Sequence, residues 1–378
     1  MTGRAGAARI ARHNGAHTRR FRGKPVSRPR PLTSPSHPGG QEERAGEPRE
    51  IRAARVGETV GVRMRGTILG FAAIVLWSTN VPATRALLER LGTLPGSAIS
   101  LLLAGTCLLL LTTAQARGLG WARQLSWRHV GLCGPLFVLY FALLNPALGL
   151  AGTRSVAIVA GLINYLWPTF VLVFSIPLLG ARPRTLSFLG GVAMSLGGVA
   201  LAASIQFAGL GTPAESLGRS LFPFLLAFAA SVVWGVYSNL AKRFPQPVST
   251  GAVGIFLVVA GAALGLASGG RWPDIHWTLT ATLELAYVAI FPLALGYALW
   301  DLAMRDGSLV LVGAASNLIP ILSTALSAVL LGVPFRAELL GGAALVVLGA
   351  LLSQAAFRSR RKPPPPGESE RRVACRPQ

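Results

Sequence analysis

Long apolar runs fill most of the chain, and its polar residues gather in the short stretches between them. Runs of about 20 residues, the length a helix needs to cross roughly 30 Å of hydrocarbon, fall at 67–88, 95–114, 129–148, 153–178 and 185–206. Five more fall at 220–243, 249–268, 281–304, 308–331 and 336–356. The pattern predicts an all-α membrane protein with ten transmembrane helices.

The chain also repeats itself after five runs. Trp77 falls on Trp234 and Arg85 on Lys242 at an offset of 157 residues, and Ser155 and Asn164 fall on Ser308 and Asn317. After a one-residue slip Pro168 meets Pro320 and Leu178-Leu179-Gly180 meets Leu330-Leu331-Gly332. Leu189-Gly190-Gly191 and Gly198 match Leu340-Gly341-Gly342 and Gly349. An odd number of spans per half makes the halves enter the bilayer from opposite sides, the inverted-repeat plan in which transporters hold solute between the halves. Chance matches between Leu-, Gly- and Ala-rich helices are the competing explanation.

Composition agrees with a membrane location: 52% of the 378 residues are hydrophobic and only 13% charged. A net charge of +22 raises the possibility of a nucleic-acid partner. Its distribution argues otherwise, because residues 1–63 carry +9 and residues 357–378 carry +5. These two basic segments, poor in aromatics and rich in Arg, Pro, Gly and Ser, are expected to be disordered. The domain plan is then a tail over 1–63, a five-helix repeat over 64–206, a second over 207–356 and a tail over 357–378. Met64 offers an alternative start, since from there the chain enters its first span directly. With both termini cytoplasmic, the inner loops carry eight basic residues (Arg117, Arg123, Arg128, Arg182, Arg184, Lys242, Arg243, Arg305) and the outer loops five (Arg90, Arg154, Arg219, Arg271, Arg336). The basic tails point the same way.

Enzyme chemistry lacks its usual signatures. Three scattered Cys, five His, and the absence of H-E-x-x-H or G-K-[ST] motifs imply no metal, cofactor or nucleotide site. A membrane enzyme acting on lipid-linked substrates needs clustered carboxylates or His at a span mouth, and the seven acidic residues of 64–356 are dispersed.

Candidate functional residues are polar or aromatic side chains far from the span ends. Trp77 lies 12 residues beyond Arg65, about 18 Å into the membrane, too deep for an interfacial belt. Trp167 and Trp234 are comparably deep, whereas Trp121, Trp127, Trp272 and Trp277 sit at loop edges as belt anchors. Each deep Trp has a polar partner three residues away on the same helical face: Trp77 with Asn80, Asn164 with Trp167, Trp234 with Tyr237. Pro82, Pro168 and Pro320 are expected to kink their helices and free the carbonyls of Ser78, Asn164 and Ser316 as acceptors suited to an ammonium group. Indoles packed as core, amides bonding helix to helix and ligand-free proline kinks produce the same pattern. The charged residues Arg85, Arg154, Glu284, Asp301 and Arg305 lie near span ends, where snorkelling accounts for them and Asp301 pairs with Arg305.

Several blocks resemble a known family. Ala73–Pro82 (AIVLWSTNVP), Asn164–Pro168 (NYLWP), Trp234 with Tyr237, Gly296–Trp300 and Asn317–Leu331 are similar to the drug/metabolite transporter superfamily, EamA-type. Within it they most resemble the bacterial aromatic amino-acid exporters, over about residues 66–357. The resemblance implies ten helices in two inverted five-helix halves around a central cavity open to one side at a time. It also implies a multi-pass inner-membrane protein exporting small aromatic or apolar amino acids and amines, with membrane lipid as its other partner. It brings Tyr140, Tyr165, Ser316 and Asn317 to the candidate binding residues beside Trp77, Asn80, Asn164, Trp167, Trp234 and Tyr237. A drug or metabolite exporter with another substrate remains the alternative.

Overall fold

The computed structural model describes residues 49–204, 213–269 and 277–357, all in helices and connecting turns. Contacts divide the chain into Met1–Arg55, of which only the helical residues 49–55 are described, and Val56–Gln378, which holds the helical bundle. The first five expected spans are α1 (Arg49–Ser78) with α2 (Asn80–Leu91), α3 (Thr93–Gln115), α4 (Trp127–Gly149), α5 (Arg154–Asn164) with α6 (Trp167–Leu179), and α7 (Thr185–Ser204). The next five are α8 (Pro213–Arg243), α9 (Ser249–Ala267), α10 (Leu279–Val288) with α11 (Gly296–Asp306), α12 (Leu309–Ser316) with α13 (Ile319–Leu330), and α14 (Ala337–Ala355). Among the described residues nine helical stretches are long and apolar enough to cross a membrane. The segment expected at 308–331 is split, and Ile319–Leu330 alone is shorter than that. Residues 49–63, expected to lack structure, are helical; 1–48 and 358–378, with Cys375, lie outside the described residues, as do Arg219's side chain, Arg271 and Trp272.

Local chemistry sets the helix ends. Ser126, Thr153 and Thr278 cap α4, α5 and α10 by accepting from the amides of His129, Val156 and Ala281. Gly180 ends α6 at φ 69° and Gly332 follows α13 at φ 65°, so the repeated Leu-Leu-Gly is a helix stop in the left-handed region that glycine tolerates.

Three helices are interrupted just before the prolines expected to kink them. The interruptions are at Thr79, at Tyr165–Leu166 and at Asn317–Leu318, and Pro82, Pro168 and Pro320 occupy the first turn of the helix that follows. Amides in a first turn have no intrahelical acceptor, so proline loses nothing there and its fixed φ suits the new start. A fourth irregularity, a π-helical turn over Ala289–Leu295 around Pro292, joins α10 to α11.

The two halves interleave: α3 packs on α9, α7 on α14, and α8 on α4, α5 and α6. Close approach rests on small residues at the α7–α14 crossing, where a Cβ on Gly198 would stand 2.5 Å from the Gly342 carbonyl oxygen and one on Gly349 2.5 Å from that of Gly191. Large aliphatic side chains cover the outside, with Leu186 87% and Leu266 82% exposed. An outer surface of this kind belongs against lipid.

Two side chains depart from the sequence reading. Trp121 is buried, not a belt anchor: its Nε1 donates to Thr113 Oγ1 (3.2 Å) and its ring fills the space over Gly251. Arg85 does not snorkel. It is buried, donates to the carbonyls of Leu148 (2.6 Å) and Gly149 (3.1 Å), and pairs with Glu89 (2.9 Å).

Candidate functional site

A cavity of about 480 Å³ lies among the helices, within the range of small-molecule sites. Its wall is rich in aromatic rings. Trp77, at the last turn of α1, donates from Nε1 to the Pro292 carbonyl (3.1 Å), so the π-helical turn of one half holds the indole of the other. Gly296 makes this possible, since a Cβ there would stand 2.8 Å from that nitrogen. The Trp77 ring lies 5.0 Å from Trp300 and 5.4 Å from Tyr297. A second group forms on α4 and α8, where Trp234 is 4.5 Å from Tyr140 and 4.9 Å from Tyr237. Phe137, fully buried behind them, joins the groups at 5.4 Å from Tyr237 and 5.9 Å from Tyr297. Each ring is thus held in place by another ring rather than by a flexible neighbour, leaving its free face toward the cavity.

Few polar atoms interrupt this wall. Asn164, the last residue of α5, donates from Nδ2 to the Tyr140 hydroxyl (3.3 Å), while its Oδ1 is buried without a hydrogen-bond partner. Asn80 accepts from Thr84 Oγ1 (3.3 Å), and Thr79, in the break before it, accepts from the Tyr287 hydroxyl (2.8 Å). An unpartnered buried acceptor costs about 1–3 kcal/mol, so the Asn164 oxygen is a polar atom held in this wall at a cost.

Among the described residues Asp301 is the single charged side chain in the wall. Ser249 and Thr250, the first residues of α9, donate their hydroxyls to its two oxygens, Thr250 at 2.8 Å, and Arg305 pairs with it at 2.5 Å. The carboxylate therefore sits at a helix N-terminus, where the helix dipole favours it. The Asp301–Arg305 pair was legible from i, i+4 spacing. The link to Ser249, 52 residues away, had no local signal.

Eight of the candidate residues line the cavity: Trp77, Asn80, Tyr140, Asn164, Tyr165, Trp167, Trp234 and Tyr237. Ser316 and Asn317 do not. Their side chains turn back to the Gly313 carbonyl (2.9 and 3.0 Å), and Ile319 is the residue of that segment that reaches the wall. Tyr297, Trp300 and Met304 were missed, although Gly296–Trp300 had stood out as a block; Tyr297 and Trp300 stand seven and four residues from the expected span end at 304, whereas Trp77 lies 10 residues inside its span. Among the described residues no group of three His, Cys, Asp or Glu could hold a metal ion.

A bundle of apolar helices around a chamber walled by rings and a few hydrogen-bonding groups has the form of a multi-pass membrane transporter. The chain belongs to the EamA-like transporter family, whose sequence profile matches twice, over residues 64–204 and 221–354. It is therefore a transporter rather than an enzyme, and it carries the family's unit in two successive copies, as the internal repeat suggested. It is 32% identical over 303 residues to the aromatic amino acid exporter YddG of Salmonella typhimurium, covering 78% of this chain and 99% of that one. The Escherichia coli exporter of the same name is 30% identical over 311 residues, with the same coverage. An uncharacterized transporter of Bacillus subtilis, YvbV, is 26% identical over 77% of this chain and 92% of its own. One solved crystal structure shares the fold with a TM-score of 0.58 at 28% identity, covering 79% of this chain and all of the other.

Proposed function

We propose that the protein exports small aromatic or apolar amino acids and related amines from the cytoplasm across a bacterial inner membrane, by alternating access. The observation that carries this is the wall itself: a cavity of about 480 Å³ bounded by Trp77, Tyr140, Trp167, Trp234, Tyr237, Tyr297 and Trp300. Aromatic faces attract flat and cationic solutes, each contact contributing about 0.5–2 kcal/mol. The buried Asn164 Oδ1 and the Asp301 carboxylate supply acceptors for an ammonium group. Two relatives at about 30% identity are aromatic amino acid exporters, which favours the same substrate class here.

Ten spans in two inverted five-helix halves, with both termini cytoplasmic, complete the proposal. Under it the split segment α12–α13 is the ninth span, counterpart of the broken α5–α6. The end of the bundle that carries Asp301 and Arg305 faces the cytoplasm, and the end that carries Glu89 and Arg154 faces outward.

A solute-protection screen tests the substrate class. Cells making the protein should tolerate toxic analogues of phenylalanine, tyrosine or tryptophan at higher concentration than cells without it. Protection against only non-aromatic compounds would favour the second possibility, an exporter of the same superfamily with another substrate.

A further inference from the structure

The cavity accounts for one end of the bundle and leaves a buried polar stripe at the other without a role. Ile319, in the first turn of α13, lines the cavity. Ser323 and Ser327 follow at four-residue steps along the helix, and Leu331 comes at its end. Ser323 and Ser327 are each only 1% exposed, and neither hydroxyl has a hydrogen-bond partner. Ser78, Ser97 and Ser238, by contrast, bond back to their own helix backbone at Ile74 (2.8 Å), Thr93 (2.6 Å) and Trp234 (2.7 Å). Ser323 lies beside the hydroxyl of Tyr165, itself a cavity residue, without the geometry of a hydrogen bond. α13 packs on α14, α2 and α5, and α2 continues the polar character from Asn80 in the cavity wall to Thr84.

At Leu331 the stripe meets a cluster of charges. Glu89 is shared by Arg85 (2.9 Å) and Arg154 (2.8 Å). Arg85 is anchored on the carbonyls of Leu148 and Gly149, and Arg154 donates to the Leu331 carbonyl (2.8 Å). Beside them Arg90 pairs with Glu284 (2.9 Å). None of these charged residues lines the cavity. Glu284 and Asp301 lie 17 residues apart on one helical stretch, about 25 Å at 1.5 Å per residue, so the cluster and the Asp301 pole mark opposite ends of the bundle. The cluster ties α2 of the first half to α10, and α5 to the end of α13.

We propose that the Arg85–Glu89–Arg154 cluster is a latch over the exit route, and that the route runs from the cavity along the Ser323–Ser327 face of α13, where a departing ammonium-bearing solute finds its next hydrogen-bond acceptors. This rests on the transport function proposed above. Closed, the structure holds two hydroxyls dry and unpartnered. Opened, the stripe is wetted or occupied and both are satisfied, so the serines favour opening while the ion pairs favour closure. Breaks at Thr79, Tyr165–Leu166 and Asn317–Leu318 separate the latch-bearing halves α2, α5 and α13 from the rest of their spans.

Cysteine accessibility tests the latch without any transported solute. In protein whose Cys107, Cys133 and Cys375 are replaced by Ala, Ser327→Cys is treated with a membrane-impermeant thiol reagent from each side. Labelling should be slow, then rise by about tenfold or more when Glu89→Gln is added, and return toward the slow rate with Glu89→Asp. Ser195→Cys, buried at the α7–α14 crossing, should stay unreactive throughout. Where Glu89→Gln does not accumulate, Arg154→Gln, with a half-exposed side chain, is read in the same way. An unchanged Ser327→Cys rate in the latch variant, or an equal rise at Ser195→Cys, overturns the latch. Failure of the transport function itself would appear as absent tryptophan efflux from the unmodified protein, which leaves the labelling comparison intact.

Discussion

Replacing Trp234 by Ala separates a cavity wall from a packed core. The indole is half-buried: it packs tilted at 4.5 Å on Tyr140 and 4.9 Å on Tyr237, lies 5.8 Å from Phe137, and also lines the cavity. A fully enclosed aromatic costs about 3–5 kcal/mol on truncation. With part of its surface already facing the cavity, Trp234→Ala should cost about 2 kcal/mol, carried by three ring contacts of about 0.5–1 kcal/mol each. A solute losing one aromatic face worth about 0.5–2 kcal/mol should bind roughly 2- to 30-fold more weakly. Transport and thermal unfolding are measured on the same purified protein, with Trp234→Phe as the variant that keeps a ring and Trp167→Ala as a second wall position. The expected result is weakened transport or altered substrate preference in both Ala variants, with a modest fall in Tm and near-normal yield. Normal transport and preference in Trp167→Ala and Trp234→Ala would refute the cavity assignment, whatever their melting temperatures.

Three further outcomes follow from the bundle. Gly198→Val forces a side chain into the 2.5 Å gap before the Gly342 carbonyl, and overpacking of this kind costs about 1–3 kcal/mol; thermal unfolding should show a lowered Tm, and an unchanged one would contradict the close α7–α14 crossing. Protein starting at Met64 should insert and transport like the full chain, because both family matches lie at or after Met64 and the start removes only three residues of the first membrane stretch, Gly61–Leu91; reporter fusions and transport assays check this, and loss of either activity would give the preceding segment a topological or binding role. Cys375 should react with thiol reagents only from the cytoplasmic side, and labelling from outside would reverse the proposed sides of uptake and release.

Much of the bundle was legible because lipid enforces simple rules on a sequence. A spanning helix must be apolar for about 20 residues, so boundaries such as 95–114 and 249–268 met helices Thr93–Gln115 and Ser249–Ala267 within two residues. The repeat marked residues with equivalent structural jobs, as at Gly180 and Gly332. Depth in the membrane located Trp77, Trp167 and Trp234, and the wall contains all three. What escaped were contacts made across the chain. Asp301 looked like a span-end charge because Ser249 and Thr250, which donate to it, belong to another helix. Arg85 looked able to snorkel, yet the carbonyls it caps belong to the end of α4, 63 and 64 residues away. Asn317 shared the repeat position of the cavity residue Asn164, but its amide and the neighbouring Ser316 hydroxyl donate to the Gly313 carbonyl. Repetition of sequence carried the helix break across to the second half without carrying the direction of its side chains.

Efflux from reconstituted vesicles measures the proposed activity most directly. Proteoliposomes loaded with radiolabelled tryptophan should release it faster than protein-free vesicles. Unlabelled phenylalanine or tyrosine should compete with that release, whereas glutamate and lysine should not. Release no faster than from protein-free vesicles for every aromatic amino acid, in protein shown to be folded by its thermal transition, would contradict export of aromatic solutes through this cavity.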